Sequence, residues 1–310
     1  MRVVEPIVIA GSLLSSSSVS EPDTTIAGEA AWNNSHTYAA GDVAISTTSH
    51  RRFLSLQDGN LNKALPNYPS ATANDWWEDN GPTNKWAMFD LTSNQATEGA
   101  SPLEVSIAPG KRINALALVG LVGDSVTITG TSGGGTVYGP KTVAIRTRDV
   151  TDWYDYFFAE FETQGAVALF DIPPYTDLVL DISIARATGN PECTYVVVGT
   201  ATTIGTAQFG VNLGADNYSQ ITRDIFGNAT LVPRRSIPTI SQTVIADVAL
   251  TTKIQGLIDR LNATPALFST ADDSSEPFFQ PLLIVGIYKS WPITFINAKK
   301  IQQQLELEQI

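Results

Sequence analysis

Aromatic side chains are the residues of this sequence whose type and spacing most clearly suggest a chemical role. Four of the six tryptophans, Trp32, Trp76, Trp77 and Trp86, lie between positions 32 and 86. A flat aromatic face binds sugars, because the C–H face of a pyranose packs on the π surface while its hydroxyls find polar neighbours. The candidates for such contacts are Trp76, Trp77, Tyr38 and Trp32. A small domain also uses tryptophans to build its core, so both roles are open for this cluster.

The four tryptophans are expected to have different roles. We expect Trp32 to lie in the core of a small domain more than on its surface. Adjacent residues of an extended segment point to opposite sides, so one member of the Trp76 and Trp77 pair is expected outside. That pair is the expected place of a sugar platform, and Trp86 is expected at the junction with the next block.

Carboxylates are concentrated in the segment DWYDYFFAEFE, which contains Asp152, Asp155, Glu160 and Glu162. A glycosidase needs two carboxyl groups about 5 to 10 Å apart, with one kept protonated by its surroundings. Nothing in the sequence distinguishes one of these acids from the others, so they are interpreted as the polar side of an aromatic strand or edge. Nucleophile and zinc-protease motifs are absent from the sequence, and we predict no catalytic residue, no cofactor and no enzymatic activity.

Metal and thiol chemistry are not predicted either. His36 and His50 lie in predicted loops and cannot easily build a zinc site. The acidic run at residues 272–276 lacks the alternating spacing and the glycine of a calcium loop, and is interpreted as a solvated turn. The single cysteine, Cys193, lies in a β-branched run where a small buried side chain is expected, and it excludes an intramolecular disulfide.

Composition restricts the partners of this chain of 310 residues. Its net charge of −12 repels phosphate and anionic membrane surfaces, so nucleic-acid binding is not expected. No run approaches about 18 apolar residues, so membrane insertion is not expected. Glu5 and Pro6 interrupt the early apolar run, and we expect no signal peptide. The hydrophobic content of 43% is that of a globular chain with real cores.

Short β-type runs separated by turn residues predict a mainly β protein. We expect an N-terminal extended arm at 1–27, a small three-stranded domain at 28–90, an antiparallel β-sandwich of jelly-roll type at 91–203 and a β-rich domain at 204–310. The sandwich follows from successive Val-, Ile- and Thr-rich runs with no helical period between them. Within it, three glycines at 133–135 predict a hairpin turn.

One amphipathic helix is predicted in the last part, at about residues 247–262. Apolar residues recur there at spacings of three and four, namely Leu250, Ile254, Leu257, Ile258 and Leu261. Asp247 is expected to cap the helix or to complement its dipole, and Pro265 to end it. The closing IQQQLELEQI is compatible with a strand or a short helix, and we favour a strand.

The block at 28–90 resembles the chitin- and polysaccharide-binding modules of bacterial chitinases and cellulases, families five and twelve. The matching residues are Trp32, Tyr38, Gly41, Asp42, Val43, Phe53, Pro66, Trp76 and Trp77. The usual strand turn of those modules is replaced by VAISTTSHRRF at positions 43–53. The resemblance implies a carbohydrate-binding-module-like domain, which either binds a sugar or serves only as a spacer and assembly surface.

A wider resemblance spans nearly the whole chain. The segments GPTNKWAMFD, IGTAQFGVNLGADNYS, FGNATLVPRR and LLIVGIYKSW look like a bacteriophage minor tail, tail-tip or baseplate protein family. The resemblance implies a virion protein made in the host bacterial cytoplasm. It also implies a homo-oligomer, such as a trimer or hexamer ring, in contact with the tail tube end, baseplate hub or fibres and with a host surface glycan.

The expected function is therefore that of a multi-copy structural component of a phage tail tip, with contact to host polysaccharide as a second role. The alternative is a secreted, non-catalytic polysaccharide-binding accessory protein of a glycoside hydrolase system, which would need a signal peptide and a catalytic partner. A third reading, a glycan-degrading tail spike, would need a carboxylate pair in a groove.

Overall fold

The structure, a computed structural model, describes residues 1–24, 26, 28–147, 152–158, 162–223, 225–271 and 279–310. Strands contain 47% of these described residues and helices 9%. The prediction of a mainly β, antiparallel fold is therefore confirmed.

The helices and strands follow one another in three groups. The first is β1 (Arg2–Pro6), β2 (Leu14–Ser17), β3 (Thr37–Tyr38), β4 (Val43–Ser46), β5 (Arg51–Ser55), β6 (Asn60–Leu61), β7 (Trp77–Pro82) and α1 (Asn84–Ala87). The second is β8 (Thr97–Glu98), β9 (Leu103–Ile107), β10 (Ala115–Val119), β11 (Ser125–Ser132), β12 (Gly135–Ala144), β13 (Arg146–Thr147), α2 (Trp153–Phe158), β14 (Glu162–Thr163), β15 (Ala166–Leu169), β16 (Val179–Ala185), β17 (Glu192–Cys193) and β18 (Tyr195–Thr203). The third is β19 (Thr206–Ala207), β20 (Asn212–Asn217), β21 (Gln220–Arg223), β22 (Ala229–Val232), β23 (Ser236–Asp247), a 3₁₀ turn (Val248–Leu250), α3 (Thr251–Arg260), β24 (Ala266–Ser269), a second 3₁₀ turn (Gln280–Leu282), β25 (Leu283–Ser290), β26 (Ile293–Phe295) and β27 (Lys300–Gln309).

Two large antiparallel sheets form the body. The larger has the strand order β15-β10-β18-β1-β24-β25-β27-β23-β19, with β20 also paired to β23 and β26 to β27. The smaller has the order β12-β11-β16-β9-β2. Its face packs against the β15-β10-β18 end of the larger sheet, and one buried cluster joins residues such as Leu103 and Leu180 of the smaller sheet to Leu116 and Val198 of the larger. This is a sandwich built from the alternating inward residues of both sheets.

The glycine hairpin of the sandwich lies where the sequence places it. Gly133 and Gly134 connect β11 to β12 and have φ angles of 57° and 81°. L-residues with a side chain rarely adopt this left-handed region, which explains the glycines.

The predicted N-terminal arm contributes a central strand to the larger sheet. β1 pairs with β18, where Val3 lies opposite Thr202, and with β24, where Val3 lies opposite Phe268. Val3 and Val4 enter separate buried clusters on the two faces of the sheet. Strand pairing across some 200 positions leaves no local mark in the sequence. The predicted boundary at 203/204 accordingly falls inside this sheet, between β18 and β19.

Helix α3 covers one face of the C-terminal half of the sheet. Ile254, Leu257 and Leu261 are buried there, as the predicted stripe requires. Asp247 is the N-cap residue of the 3₁₀ turn that precedes α3, but its side chain makes no capping hydrogen bond and instead accepts one from Lys300 at 2.7 Å. The side-chain cap is therefore not formed, and the interaction with the helix dipole stays a prediction. The closing segment forms β27, which confirms the strand over the helix.

Residues 28–90 carry a small three-stranded sheet of order β4-β5-β7, with β3 paired to β6 beside it. Val43 lies opposite Leu54, and Leu54 opposite Glu78. Its own apolar cluster is small, and the buried members are Tyr38, Ala44, Phe53 and Trp77. We call this part of the chain the module.

Candidate functional site

Trp77 is the centre of the module core. Its side chain is 0% exposed, and its ring lies edge to face against Tyr38, with the ring centroids 5.0 Å apart. The indole Nε1–H donates to the carbonyl of Lys63 at 2.9 Å. A buried tryptophan with its polar atom satisfied stabilises a small domain, and in this position its face is not open to a sugar.

Trp76 is the member of the pair that reaches the surface. It is half-buried against the module core, and the Lys63 ammonium lies 4.7 Å from its ring centroid. The Asn74 side-chain oxygen accepts the backbone N–H groups of both tryptophans, at 2.9 and 2.8 Å. This hydrogen-bonded turn leads the chain into β7, which begins at Trp77. The Lys63 ammonium lies over one face of the Trp76 ring in a cation–π contact, and the ring remains partly exposed.

Tyr38 and the turn after it explain the Tyr-x-x-Gly-Asp pattern. The Tyr38 hydroxyl accepts the Asn33 backbone N–H at 2.8 Å, and the Asp42 carboxylate accepts the Ala39 N–H at 2.7 Å. Gly41 has a φ of 93°, which a residue with a Cβ adopts only under strain. The motif residues thus position a tight turn, with Tyr38 itself buried.

A groove of about 610 Å³ opens beside this turn, and we call it the module groove. Its lining residues are Gly28, Ala30, Ala31, Asn33, His36, Tyr38, Gly41, Asp42 and Val43. The exposed His36 ring lies edge to face on Tyr38 at 4.5 Å. An aromatic floor with an imidazole and a carboxylate at the rim, in a volume typical of ligand sites, is able to bind a polar ligand such as a sugar.

The structure separates the four sequence-predicted candidates. Trp77 and Tyr38 are buried, whereas Trp32 and Trp76 are half-buried against the same core. Tyr38 lines the module groove and Trp32 does not. The predicted sugar contacts did not include His36 and Asn33, although both lie in WNNSHTY between the matched Trp32 and Tyr38.

Trp86 joins the module to the sandwich. It belongs to the sandwich core cluster, its Nε1–H donates to the Glu21 carboxylate at 2.8 Å, and the His50 ring stacks on it at 4.2 Å. The same carboxylate bonds to His50 Nδ1 at 2.8 Å and accepts the Thr83 hydroxyl at 2.7 Å. His50 therefore has a structural role in fastening the N-terminal segment to the module.

The aromatic segment predicted as a strand or edge forms α2, an exposed helix between β13 and β14. We call residues 152–158 the aromatic projection. Its exposed large side chains are Trp153, Tyr154, Tyr156, Phe157 and Phe158. The Asp152 carboxylate accepts the Asp155 N–H at 2.8 Å. Glu160 and the Glu162 side chain lie outside the described residues, as does the acidic run at 272–276.

A second exposed segment lies in the C-terminal third of the chain. Residues 209–223 and 225–235, here called the arm, contain β20, β21 and β22. Its exposed large apolar side chains are Phe209, Leu213, Tyr218, Ile221, Ile225, Phe226, Leu231 and Val232. Large apolar side chains exposed this densely along a short segment favour an interaction site.

The arm is anchored at its base. β20 pairs with β23 over six residues, the Lys289 ammonium lies 3.1 Å from the Asp216 carboxylate, and Arg235 donates to the carbonyl of Ile310 at 2.6 Å. Beyond this base, β21 and β22 pair only with each other among the described residues. The direction of the arm is thus fixed while its distal half is exposed.

An apolar groove of about 430 Å³ lies at the arm base, and we call it the base groove. Its lining residues are Ala207, Gln208, Phe209, Gly210, Val211, Leu213, Gln242, Thr270, Pro281 and Leu282. Gln242 is 1% exposed, and its Nε2 donates to the carbonyls of Gln208 and Thr243, both at 2.7 Å. Its Oε1 is buried with no hydrogen-bond partner in the described part of the chain.

Cys193 is buried, as predicted. Burial raises the pKa of its thiol to about 12, and the contacts of the sulfur with the carbonyl oxygens of Tyr195 and Val119 offset this rise only in part. A thiol that stays protonated at neutral pH is a poor nucleophile.

Comparison with known proteins gives no family assignment. No known family matches the chain, and no curated protein is significantly similar to it. Within the described ranges, no group of three or more histidine, cysteine, aspartate and glutamate side chains is arranged to hold a metal ion. None of the helices in those ranges is long and apolar enough to cross a membrane.

Proposed function

We propose that this chain is a non-catalytic structural component of a bacteriophage tail tip or baseplate, present in several copies in the virion. The observation that carries this proposal is the pair of apolar projections, the aromatic projection and the arm, on an otherwise well-packed β body. A protein that acts alone has little use for so much exposed apolar surface. A subunit of a larger assembly buries such surface against its neighbours, here the tail tube end, baseplate hub or fibres.

The module supplies the second part of the proposal, contact with a host surface polysaccharide. Trp76 with Lys63, and the groove beside Tyr38 with His36 at its rim, support it. Single contacts of this type are weak, and several copies on one particle would raise the effective affinity by about 10² or more. The same groove favours the second candidate function, a secreted non-catalytic polysaccharide-binding accessory protein.

Location in the particle tests the structural proposal. Gold-labelled antibodies against this chain should mark the distal tail of the virus that encodes it, and single-particle images should place it there in a symmetric ring or trimer. Labelling of the capsid, or absence from purified virions, would overturn the proposal. Depolymerisation of host capsule or lipopolysaccharide by the purified chain would overturn its non-catalytic part.

A glycan array tests the module. Wild-type protein should bind a host polysaccharide, and Trp76→Ala should lose that binding while keeping its thermal unfolding midpoint. Val8→Ala is the matched control, since Val8 is an exposed apolar residue outside the module. Binding that survives both Trp76→Ala and His36→Ala would show that neither surface is a sugar site.

A further inference from the structure

The sequence contains one Asn-Gly pair, Asn80-Gly81, and the structure places it near the end of β7. An asparagine that precedes glycine can react with its own backbone, because glycine has no Cβ to obstruct the approach of its nitrogen. A regular strand opposes this reaction, since the hydrogen bonds of the ladder hold the backbone in its extended form. The local structure of β7 therefore decides whether the pair is protected.

The pair lies at a break in the module sheet. In the register of β5 against β7, no residue of β5 is paired with Asn80 or Gly81. The paired positions on either side of this break leave only Arg52 of β5 to face both residues. Two residues against one is the arrangement of a β-bulge, in which the ladder is locally disrupted. The bulge removes the strand pairing that would protect the pair.

The fold requires the glycine of this pair. Gly81 has a φ of 91°, in the left-handed region that favours glycine. A Cβ added at this position would lie 2.7 Å from the side-chain nitrogen of Gln95. Gly81 is therefore a structural residue of the bulge.

Asn80 has no comparable role. The residue is exposed, and its side-chain amide has no hydrogen-bond partner within the described ranges. An amide with no partner is free to rotate toward the backbone nitrogen of the next residue. The reactive carbonyl carbon is thus available in the folded protein.

The attacking nitrogen has a proton acceptor beside it. The Gly81 N–H donates to Asp79 Oδ1 in a long hydrogen bond of 3.3 Å. Arg51 Nε–H donates to the same oxygen at 2.9 Å and holds it in place. The nitrogen must lose this proton when it forms a new bond, so the position of the acceptor favours the reaction.

We propose that Asn80 is a site of spontaneous deamidation in the folded protein. The Gly81 nitrogen bonds to Asn80 Cγ, the Cγ–N bond of the side chain breaks, and ammonia leaves with the proton that the Gly81 nitrogen gives up. Water then opens the resulting five-membered imide at either carbonyl, which yields aspartate or isoaspartate. Both products add a negative charge beside Asp79, and isoaspartate also lengthens the β7 backbone by one methylene. The inference goes beyond the proposed function and does not depend on it.

The test compares the folded chain with the unfolded chain. The full purified protein is incubated at mildly alkaline pH with and without urea, and peptide mass spectrometry follows the change from amide to acid at Asn80. The folded protein should convert Asn80 at a rate within about tenfold of the unfolded chain, whereas a reaction that required global unfolding would be slower by about 10³ or more. Conversion confined to the urea sample would overturn the proposal.

Two asparagine controls complete the experiment. Asn80→Gln keeps the amide but would need a larger ring to close, so it should abolish the signal at an unchanged thermal unfolding midpoint. Asn62 is also exposed and precedes Lys63, so it should remain an amide over the same time. Conversion of Asn62 as fast as that of Asn80 would show that exposure alone sets the rate, and would overturn the role of the glycine and the bulge.

Discussion

In the module, Trp77, Phe53 and Tyr38 are buried against one another, whereas in the arm Ile225 and Phe226 extend into solvent. Both regions consist of short strands joined by polar turns, and both carry large apolar side chains. The module has little else to form a core, so its aromatic residues fold it. The arm is held by its base strands, and its large apolar side chains remain exposed. Burial, more than residue type, separates a fold-forming aromatic from an interaction surface.

The largest effect should follow from emptying the module core. Trp77→Ala removes a fully buried ring and should lower the free energy of unfolding of the module by about 3 to 5 kcal/mol. Hydrogen exchange of peptides covering β4, β5 and β7 would measure it, with Trp76→Ala as the matched change at a half-buried ring. Equal loss of protection in both variants would contradict the assignment of Trp77 as core and Trp76 as surface.

The second effect concerns the charged contacts of the two regions. In the module, the Arg51 guanidinium donates to Asp79, at 2.9 Å from Nε, and to Asp90, and all three side chains are largely buried. In the arm, Arg223 is exposed. Arg51→Met leaves two carboxylates without their donor and should cost about 1.5 to 3 kcal/mol.

Urea unfolding followed by tryptophan fluorescence would check this value. Arg223→Met is the control and should change the free energy of unfolding by less than about 0.5 kcal/mol. A larger effect for Arg223 than for Arg51 would show that the arm is held by its charges.

Sequence reasoning predicted the mainly β fold but not the exposure of the arm. The β-branched runs, the glycine hairpin and the helical stripe are local patterns, and the structure has all three. The central place of β1 depends on pairing over some 200 positions, which no local pattern encodes. Ile221 and Leu231 lie in runs that look like core strands, because alternation indicates a strand without saying what covers it.

Local sequence patterns also miss residues at the candidate sites. Asn74, which no motif includes, accepts the backbone N–H groups of both adjacent tryptophans in the turn that precedes β7. His36 and Asn33 are polar residues in a turn, and only the fold of that turn places them at a groove. Gln242 is an ordinary strand residue in the sequence, and only the fold shows that its Oε1 is buried without a hydrogen-bond partner among the described residues.

A smaller effect is a dependence of the folding stability on pH. It comes from Glu29, at the start of the module. Glu29 is buried, and its carboxylate accepts the Asn84 N–H at 2.8 Å. Burial raises the pKa of this carboxyl group above its ordinary value, an effect that the Asn84 bond and the nearby Arg52 only partly offset. The folded protein thus holds the proton more tightly than the unfolded chain. This contribution to stability is fully present below the unfolded pKa and is lost as the pH rises through the folded one.

Glu29→Gln removes that titration. The free energy of unfolding of the variant minus that of the wild type should therefore increase from about pH 4 to about pH 8. Chemical unfolding at a series of pH values would measure the difference, in which the other carboxylates cancel. A difference that falls with pH would mean that Glu29 is stabilised as an anion.

The smallest effect should come from the aromatic projection, where large rings contribute little to the fold. Trp153 is 79% exposed, and Phe157 is exposed beside it on α2. A ring that stays in water on folding gains almost no transfer free energy, so Trp153→Ser and Phe157→Ser should change the free energy of unfolding by less than about 0.5 kcal/mol. The Trp77→Ala variant, measured in the same urea series, supplies the contrast. If Trp153→Ser lowered the free energy of unfolding as much as Trp77→Ala does, α2 would be packed against the body in solution. The contrast between the buried aromatic residues of the module and the exposed ones of the projections would then fail.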